Sequence, residues 1–209
     1  MTAKDWDQAY RDGDTPWNKG KASPPLMEWM NENNIDGQVL VLGCGEGHDV
    51  RFLANHCKSV VGMDISETAI DLAKKNAIVN NVQYICQDFF DESISSCVRY
   101  DWIFEHTFFC AIEPHFRKAY RDQVGKLLKP NGHFLGVFFI ADEHYELDQG
   151  PPYKVSKDYL LDFFGEKFEI IEAYVPKFTY DCRPYGSELV LTMKAKSHQD
   201  SGGDVVSSN

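Results

Sequence analysis

Short apolar runs alternate with amphipathic stretches along most of the chain. The runs rich in Val, Ile, Leu and aromatic residues are typical of β-strands, and they cover residues 39–42, 59–63, 82–86, 102–104, 133–140, 168–175 and 188–194. Helical spacing or helix-start signals mark other stretches, at residues 24–30, 49–56, 67–77, 114–128 and 159–164. Ser66 is the expected N-cap of the helix that follows it, and the turn at 129–132 is expected to end the helix before it.

This alternation predicts the class of fold. Strands that alternate with helices form a largely parallel sheet with helices on both faces, a Rossmann-like α/β arrangement. Such a sheet binds its ligand at the carboxyl ends of its strands.

The loop after the first strand indicates the kind of ligand. Gly43, Gly45 and Gly47 follow a buried strand, and a second apolar run ends in Asp64, about twenty residues beyond the first glycine, which is the spacing for a carboxylate beside a bound ribose. Pyrophosphate cofactors require a glycine at the sixth motif position, where this chain has His48. The pattern G-x-G-x-G resembles motif I of the class I methyltransferases, which bind S-adenosylmethionine (SAM), a nucleoside without phosphate.

Each residue of this region has a specific expected task. Gly43 and Gly45 let the backbone approach the ligand, although glycines in such a turn can also serve packing alone. Asp64 is expected to accept hydrogen bonds from the ribose hydroxyls. Asp88 is expected to receive the adenine amino group and the amide of Phe89 to meet a ring nitrogen, with capping of the next turn as the alternative for Asp88.

The composition and net charge of the chain limit the classes of partner it is expected to bind. The 209 residues are 43% hydrophobic and 25% charged, which fits one globular domain, assigned to residues 23–196, while the polar stretch 197–209 is expected to be a disordered tail. A formal net charge of −11 argues against a nucleic-acid partner, and the longest apolar run is far shorter than the roughly 20 residues of a membrane span. The six cysteines form no C-x-x-C pair or metal-ligand spacing. With no leader pattern, we expect a cytoplasmic protein without a metal, and a monomer.

Six runs of residues, which include the glycine loop, Asp64 and Asp88-Phe89, carry a family resemblance. The chain resembles the thiopurine S-methyltransferase superfamily, and within it most resembles the plant-type halide/thiol methyltransferases. The matching residues are Trp6-Asp7 with Tyr10, Gly13 and Thr15-Pro16-Trp17, Gly43-Cys44-Gly45 with Gly47-His48-Asp49-Val50, Val61-Gly62-Met63-Asp64-Ile65-Ser66-Glu67, Asp88-Phe89-Phe90, Phe109-Cys110-Ala111-Ile112-Glu113-Pro114 with Arg117, and Gly150-Pro151-Pro152-Tyr153-Lys154-Val155.

The resemblance implies a fold, a lid and a cofactor. It implies a seven-stranded sheet whose final strand is antiparallel, and SAM as the methyl donor. It also implies that residues 1–22 form a lid in which Trp6, Tyr10 and Trp17 cover the methionine end of SAM, where aromatic faces attract a sulfonium cation. The family usually has tryptophan in place of Tyr10. Without the family match, the three aromatics could simply anchor the arm to the surface.

The chain departs from the family at Glu105-His106. Thiopurine enzymes typically have Asp-Arg there and halide/thiol enzymes Asp-Tyr, so the arginine that favours a thiopurine is missing. His106 could orient a substrate, act as a base, or hydrogen-bond beside the SAM methionine. By the resemblance, Tyr153 belongs to the acceptor pocket, with an ordinary loop tyrosine as the alternative.

These residues predict a methyltransferase that acts on a small, soft nucleophile: hydrosulfide, a small thiol, thiocyanate or a halide. The alternatives left open are a thiopurine or a chalcogen oxyanion such as tellurite or selenite as acceptor, O- or N-methylation of a small molecule, and a SAM-binding regulatory protein without turnover.

Overall fold

A computed structural model describes residues 5–76, 80–91, 94, 98–140 and 150–196. The elements within these ranges follow one another in a largely alternating order. They are α1 (Trp6–Asp12), α2 (Pro24–Glu32), β1 (Gln38–Leu42), α3 (His48–Leu53), β2 (Ser59–Asp64), α4 (Glu67–Asn76), β3 (Val82–Cys86), β4 (Tyr100–His106), α5 (Arg117–Leu127), β5 (Leu128–Phe139), α6 (Lys157–Gly165), β6 (Phe168–Tyr174) and β7 (Glu188–Ala195).

The strands form one seven-stranded sheet in the order β3-β2-β1-β4-β5-β7-β6. The first five strands pair in parallel, whereas β7 runs antiparallel to both β5 and β6, which confirms the expected topology. Because β7 is reversed, its first residue lies at the same sheet edge as the carboxyl ends of β1 to β5. That edge collects the residues of the site.

Hydrophobic side chains cover both faces of the sheet. In β1, Val39 and Val41 belong to a core cluster with residues of α2 and α3, whereas Leu40 and Leu42 belong to one with residues of α5 and α6. Successive strand residues point to opposite faces, so a strand buried on both sides is apolar throughout. The helices on both faces confirm the expected α/β architecture.

The structure corrects several expected boundaries. Residues 114–116 form a 3₁₀ turn before α5 begins at Arg117, so α5 is shorter than the helix expected over residues 114–128. The stretch 129–132 is not a turn outside the sheet: Tyr100 pairs with Leu128 and Trp102 with His133, so these residues bulge from β5 at that shift of register. The expected N-cap is confirmed, since the amide of Ala69 donates to Ser66 Oγ at 3.0 Å.

Helix α1 was not expected from the sequence, because seven residues give a weak periodic signal. Its buried residues are Ala9 and Tyr10, and its N-cap, Asp5, accepts a hydrogen bond from the amide of Gln8. No helix in the part of the chain that the structure describes is long and apolar enough to cross a membrane. The expected disordered tail, 197–209, lies outside the described residues.

Candidate active site

A cavity of about 530 Å³ opens at the carboxyl edge of the sheet. It is bounded by the loops after β1 to β4, by α1 and its following loop, and by the segment that begins at Gly150. Every residue that the sequence placed in the site lines this cavity: Trp6, Tyr10, Trp17, Gly43, Gly45, Asp64, Asp88, Phe89, His106 and Tyr153. The structure thus brings together all the candidates.

The glycine loop packs closely against other side chains. Gly43 and Gly45 have φ of 57° and 51°, in the left-handed region that disfavours other residues. A Cβ on Gly43 would lie 2.6 Å from the Phe108 ring, and one on Gly45 would lie 2.6 Å from the Tyr10 hydroxyl oxygen. Glycine is therefore required at both positions by the backbone conformation and by contacts within the protein, which is the packing role considered from the sequence.

Asp64 ends β2 and holds the glycine loop. Its Oδ2 accepts a hydrogen bond from the amide of Gly45 at 2.8 Å, and its Oδ1 accepts one from the amide of Ser66 at 3.0 Å. Burial raises the pKa of Asp64, while these amides act in the opposite direction. Each oxygen accepts one of these two bonds, and Asp64 lines the cavity.

Asp88 follows β3 and caps the next turn. Its Oδ1 accepts a hydrogen bond from the amide of Phe90 at 2.9 Å, which is the capping alternative considered from the sequence. Asp88 nevertheless lines the cavity, so capping and ligand contact are compatible. The Phe89 side chain is buried and lies in edge or tilted contact with Phe108 and Tyr120.

An aromatic cluster joins α1 to the loop that follows it. The Trp17 ring lies edge-on to Trp6 and Tyr10, with centroid distances of 5.2 and 5.8 Å. Trp17 Nε1 also donates a hydrogen bond to the Tyr10 hydroxyl at 3.0 Å. The cluster therefore covers the glycine loop through Tyr10, the residue that touches Gly45.

Asp7 attaches α1 to the start of α4. Its Oδ1 accepts hydrogen bonds from Ser66 Oγ at 2.7 Å and from the amide of Thr68 at 2.8 Å. These bonds, together with Arg11, lower the pKa of Asp7. A carboxylate at a helix N-terminus also interacts favourably with the helix dipole. Asp7 thus ties α1 to the helix directly after Asp64.

His106 ends β4 within a cluster of polar groups. Its Nε2 lies 3.2 Å from Glu188 Oε1, and its Nδ1 lies 3.9 Å from Asp49 Oδ2. The same Glu188 oxygen lies 3.1 Å from Arg183 Nη1. The Tyr180 ring stacks on the imidazole at a centroid distance of 5.7 Å. His106 is 9% exposed, so only a small part of its side chain faces the cavity.

Two neighbours of His106 also reach the segment between α1 and α2. Asp49 Oδ1 accepts a hydrogen bond from the amide of Ser23 at 2.7 Å, and the Tyr180 hydroxyl donates to the carbonyl of Lys21 at 3.0 Å. Burial raises the pKa of Asp49, and His106 opposes that shift. The cluster thus connects the segment between α1 and α2 to the last strand.

Backbone contacts fix Tyr153 at the cavity. Its amide donates to the carbonyl of Cys110 at 2.6 Å, and its carbonyl accepts from Arg117 Nη2 at 3.0 Å. Arg117 is buried and belongs to one of the sequence runs that carry the family resemblance.

Burial raises the pKa of the Cys110 thiol to about 12, so this cysteine is a poor nucleophile.

Glu105 points away from His106 into the core. It is fully buried, and its Oε2 accepts hydrogen bonds from the amides of Phe108 and Phe109 at 2.9 and 3.0 Å. Burial raises its pKa to about 8, against the opposing effect of the two amides. Glu105 therefore holds the turn after β4 through these two amides. Its carboxyl group is mostly protonated at pH 7.

Sequence reasoning missed Asp49, Tyr180, Arg183 and Glu188. A signal existed for Glu188, because it begins a strand expected to be antiparallel, and this places it at the ligand edge. Tyr180 and Arg183 lie in an irregular connection, where the sequence has no periodic pattern to orient them. No group of three or more His, Cys, Asp or Glu side chains among the described residues is arranged to hold a metal ion.

Comparisons with known proteins agree with this geometry. The chain matches the thiopurine S-methyltransferase family over residues 1–182. It is 38% identical over 156 residues to probable thiol methyltransferase 2 of Arabidopsis thaliana, an alignment that covers 72% of this chain and 67% of that protein. It is 36% identical over 156 residues to thiocyanate methyltransferase 1 of Brassica oleracea, with the same coverage. The alignments span about two thirds of these plant proteins.

A solved structure supports the fold independently. The N-methyltransferase NodS from Bradyrhizobium japonicum WM9, in complex with S-adenosylhomocysteine, has a TM-score of 0.70 and 16% identity, covering 91% of this chain and 98% of that one. The family match covers most of the chain and includes the glycine loop, Asp64, His106 and Tyr153. The chain belongs to the thiopurine S-methyltransferase family and is a SAM-dependent methyltransferase.

Proposed function

We propose that this enzyme transfers a methyl group from SAM to a small, soft nucleophile: hydrosulfide, a small thiol, thiocyanate or a halide. The observation that carries the proposal is one continuous cavity. Its glycine and carboxyl groups suit a nucleoside, and it continues to the aromatic and aliphatic side chains of Phe108, Ile112 and Tyr153.

The order of the strands supports a direction for the donor. Asp88, Asp64, the glycine loop and His106 follow β3, β2, β1 and β4, which are consecutive neighbours in the sheet. Three strand spacings of about 4.8 Å separate the first from the last, so the row extends over roughly 14 Å. Adenine at Asp88 and ribose at Asp64 would leave the methionine end of SAM between the glycine loop and His106.

The charge of the cavity suits this donor. SAM supplies a methyl group on a cationic sulfur, which makes that carbon an electrophile. Trp6, Tyr10 and Trp17 line the cavity, and the faces of aromatic rings attract sulfonium cations. Asp64 can accept the ribose hydroxyls on the lone pairs that the amides of Gly45 and Ser66 leave, without losing its hold on the loop.

The acceptor end suits a small molecule of low polarity. Ile112 and Tyr153 are buried, and Phe108 is partly buried. No arginine is among the described residues that line the cavity, so the guanidinium that would pair with an anionic thiopurine is not supplied there. The names of the plant relatives, a thiol and a thiocyanate methyltransferase, describe acceptors of this soft, sulfur-containing kind.

The chain's own contribution to the reaction is alignment. A soft sulfur nucleophile displaces its leaving group in line and needs little further activation once it is an anion. Holding acceptor, methyl group and leaving sulfur in line removes much of the entropic barrier. Backbone contacts fix Tyr153 from both sides, and Glu105 fixes the turn that carries Phe108, so both walls of the acceptor end are rigidly built.

An acceptor panel with radiolabelled SAM tests the proposal. We expect turnover of hydrosulfide, methanethiol, iodide or thiocyanate with a higher kcat/KM than of a thiopurine, tellurite or a small phenol. Formation of S-adenosylhomocysteine with each acceptor is the measurement, and enzyme without acceptor is the control. Efficient thiopurine, tellurite or phenol turnover with no activity on the small soft acceptors would refute the acceptor assignment.

We also propose a monomer in a reducing, cytoplasmic environment. Cys44, Cys57, Cys86, Cys110 and Cys182, the cysteines for which the structure gives a state, are free thiols. Light scattering at micromolar concentration tests the monomer, and fractionation of the source cells tests the location.

A further inference from the structure

The polar cluster behind His106 has the arrangement of a proton acceptor with its own orienting group. Glu188 is 1% exposed, so its carboxyl group is buried beside His106. Its Oε1 lies within 3.2 Å of both His106 Nε2 and Arg183 Nη1, while its Oε2 has no hydrogen-bond partner among the residues that the structure describes. A carboxylate on one ring nitrogen of histidine selects the tautomer and fixes the ring.

We propose that the acceptor is bound as a neutral thiol and that His106, oriented by Glu188, removes its proton. This inference rests on the proposed function and narrows it to proton-bearing acceptors. Nε2 carries the hydrogen that is donated to Glu188, so Nδ1 is the basic nitrogen. Nδ1 lies on the side of Asp49, a residue that lines the cavity together with His106.

The bonds of this step balance. The S–H bond of the thiol breaks, and its proton passes to His106 Nδ1. The sulfur electron pair forms the new bond to the methyl carbon, and the bond between that carbon and the donor sulfur breaks with its electron pair left on the donor sulfur. The products are a methyl thioether, S-adenosylhomocysteine and one proton, which the imidazolium later releases to water.

The charge around the cavity favours a neutral acceptor over a preformed anion. The described lining residues include five acids and two lysines: Glu46, Asp49, Asp64, Asp88, Glu113, Lys19 and Lys21. Such a lining attracts a cationic donor but opposes the entry of an anion. A neutral thiol avoids this cost, provided that a base inside the cavity takes its proton.

The groups facing His106 come from three elements. Asp49 lies on α3, Glu188 begins β7, and Arg183 and Tyr180 lie in the connection between β6 and β7. Arg183 lies 3.1 Å from the same Glu188 oxygen that His106 approaches, and Tyr180 stacks on the ring face. Glu188 is therefore a positioning residue, which acts on the acceptor only through the imidazole.

The test compares methanethiol, which must lose a proton, with iodide, which has none. In wild type we expect a higher kcat/KM for methanethiol than for iodide. His106→Gln should lower kcat for methanethiol by roughly 10²-fold, the scale of general-base catalysis, and change iodide turnover less than threefold. Glu188→Gln should lower methanethiol turnover by a smaller factor than His106→Gln does, with iodide turnover and SAM affinity close to those of wild type.

The pH dependence separates this role from a structural one. The deficit of His106→Gln and Glu188→Gln should shrink as the assay pH rises through the pKa of the free thiol, because solvent then supplies the thiolate. A purely structural defect would persist at every pH. Glu169→Gln, an exposed glutamate on β6, is the matched control and should resemble wild type throughout.

The outcomes test the role of His106, the role of Glu188 and the proposed function separately. Equal losses for methanethiol and iodide would overturn the role of His106 while leaving the proposed methyltransferase function intact. Loss in His106→Gln with wild-type rates in Glu188→Gln would overturn the role of Glu188. If Glu188→Gln does not fold, His106→Gln alone decides whether the acceptor proton is removed by His106. Absence of methanethiol turnover in wild type would overturn this inference, and absence of turnover with hydrosulfide, thiocyanate and iodide as well would refute the proposed function.

Discussion

Glu105 should make the stability of the enzyme depend on pH in a way that one substitution removes. Its carboxyl is fully buried, and burial raises its pKa from 4.5 to about 8. In the unfolded chain the same group loses its proton near 4.5. Between these two values only the folded state holds the proton, so stability must fall as the pH rises.

The size of this effect follows from the two pKa values. Each pH unit between them costs about 1.4 kcal/mol, and the full loss across the interval is about 5 kcal/mol. The stabilisation is complete below pH 4.5 and is lost as the pH rises through 8. Between pH 5 and pH 8 the measurable part is roughly 3–4 kcal/mol.

Glu105→Gln is the perturbation that isolates this group. A glutamine oxygen can still accept hydrogen bonds from the amides of Phe108 and Phe109, but the side chain does not titrate. Buried Asp49 and Asp64 also have raised pKa values, and because both proteins contain them their contribution cancels in the difference. The variant should therefore gain stability relative to wild type as the pH rises.

Urea unfolding at pH 5, 6, 7 and 8 measures this difference directly. Equal m-values in the two proteins would show that the same surface is exposed on unfolding, so midpoints can be compared. Glu169→Gln, which is exposed, should track wild type at every pH. A difference between Glu105→Gln and wild type that stays constant within about 0.5 kcal/mol would refute the buried, neutral carboxyl.

Three further predictions concern the ligands. Asp64→Ala should weaken SAM binding by about 1.5–3 kcal/mol, the value of hydrogen bonds to a charged group, and calorimetry should also find that NAD does not compete; an unchanged Kd in a folded variant would remove Asp64 from the site. Residues 1–22 should show faster hydrogen exchange without S-adenosylhomocysteine than with it, and equal protection would count against a lid. Tyr153→Ala should lower kcat/KM for small thiols and leave SAM affinity nearly intact, whereas exposed Tyr185→Ala should change neither; a matching loss of SAM affinity would contradict the acceptor assignment.

The donor half of the site could be predicted because it depends on local patterns. A glycine loop after a buried strand and an acid at the end of the next strand have fixed positions once the sheet is parallel. Asp64 lies where that rule puts it, although its hydrogen bonds to Gly45 and Ser66 show that it also holds the loop together. The sequence could not separate these two tasks, because both require the same carboxylate in the same place.

The surroundings of His106 could not be predicted, because they depend on contacts between distant parts of the chain. Glu188 is 82 residues away from His106 and reaches it across β5, where His106 pairs with Val137. Asp7 on α1 likewise accepts a hydrogen bond from the amide of Thr68 at the start of α4, 61 residues later in the chain. Such contacts follow from tertiary packing, which a periodicity argument does not contain.

The two residues of the Glu105-His106 pair have different tasks because they lie on opposite faces of the sheet. Along β4, Ile103 belongs to the core cluster that includes residues of α5 and α6, and Phe104 to the one that includes residues of α2 and α3. Alternation therefore directs Glu105 to the first face and His106 to the second, where Asp49 and Tyr180 lie.

This separation has a consequence for the chemistry. Glu105 is buried on the face opposite His106, where its Oε2 is occupied by the amides of Phe108 and Phe109. The carboxyl groups that surround the imidazole are then Asp49 and Glu188, which both lie near ring nitrogens of His106. Replacing Glu105 should therefore alter stability with pH, whereas replacing Glu188 should alter turnover of a thiol. An effect of Glu105→Gln on methanethiol without an equal effect on iodide would show that the two faces are not independent.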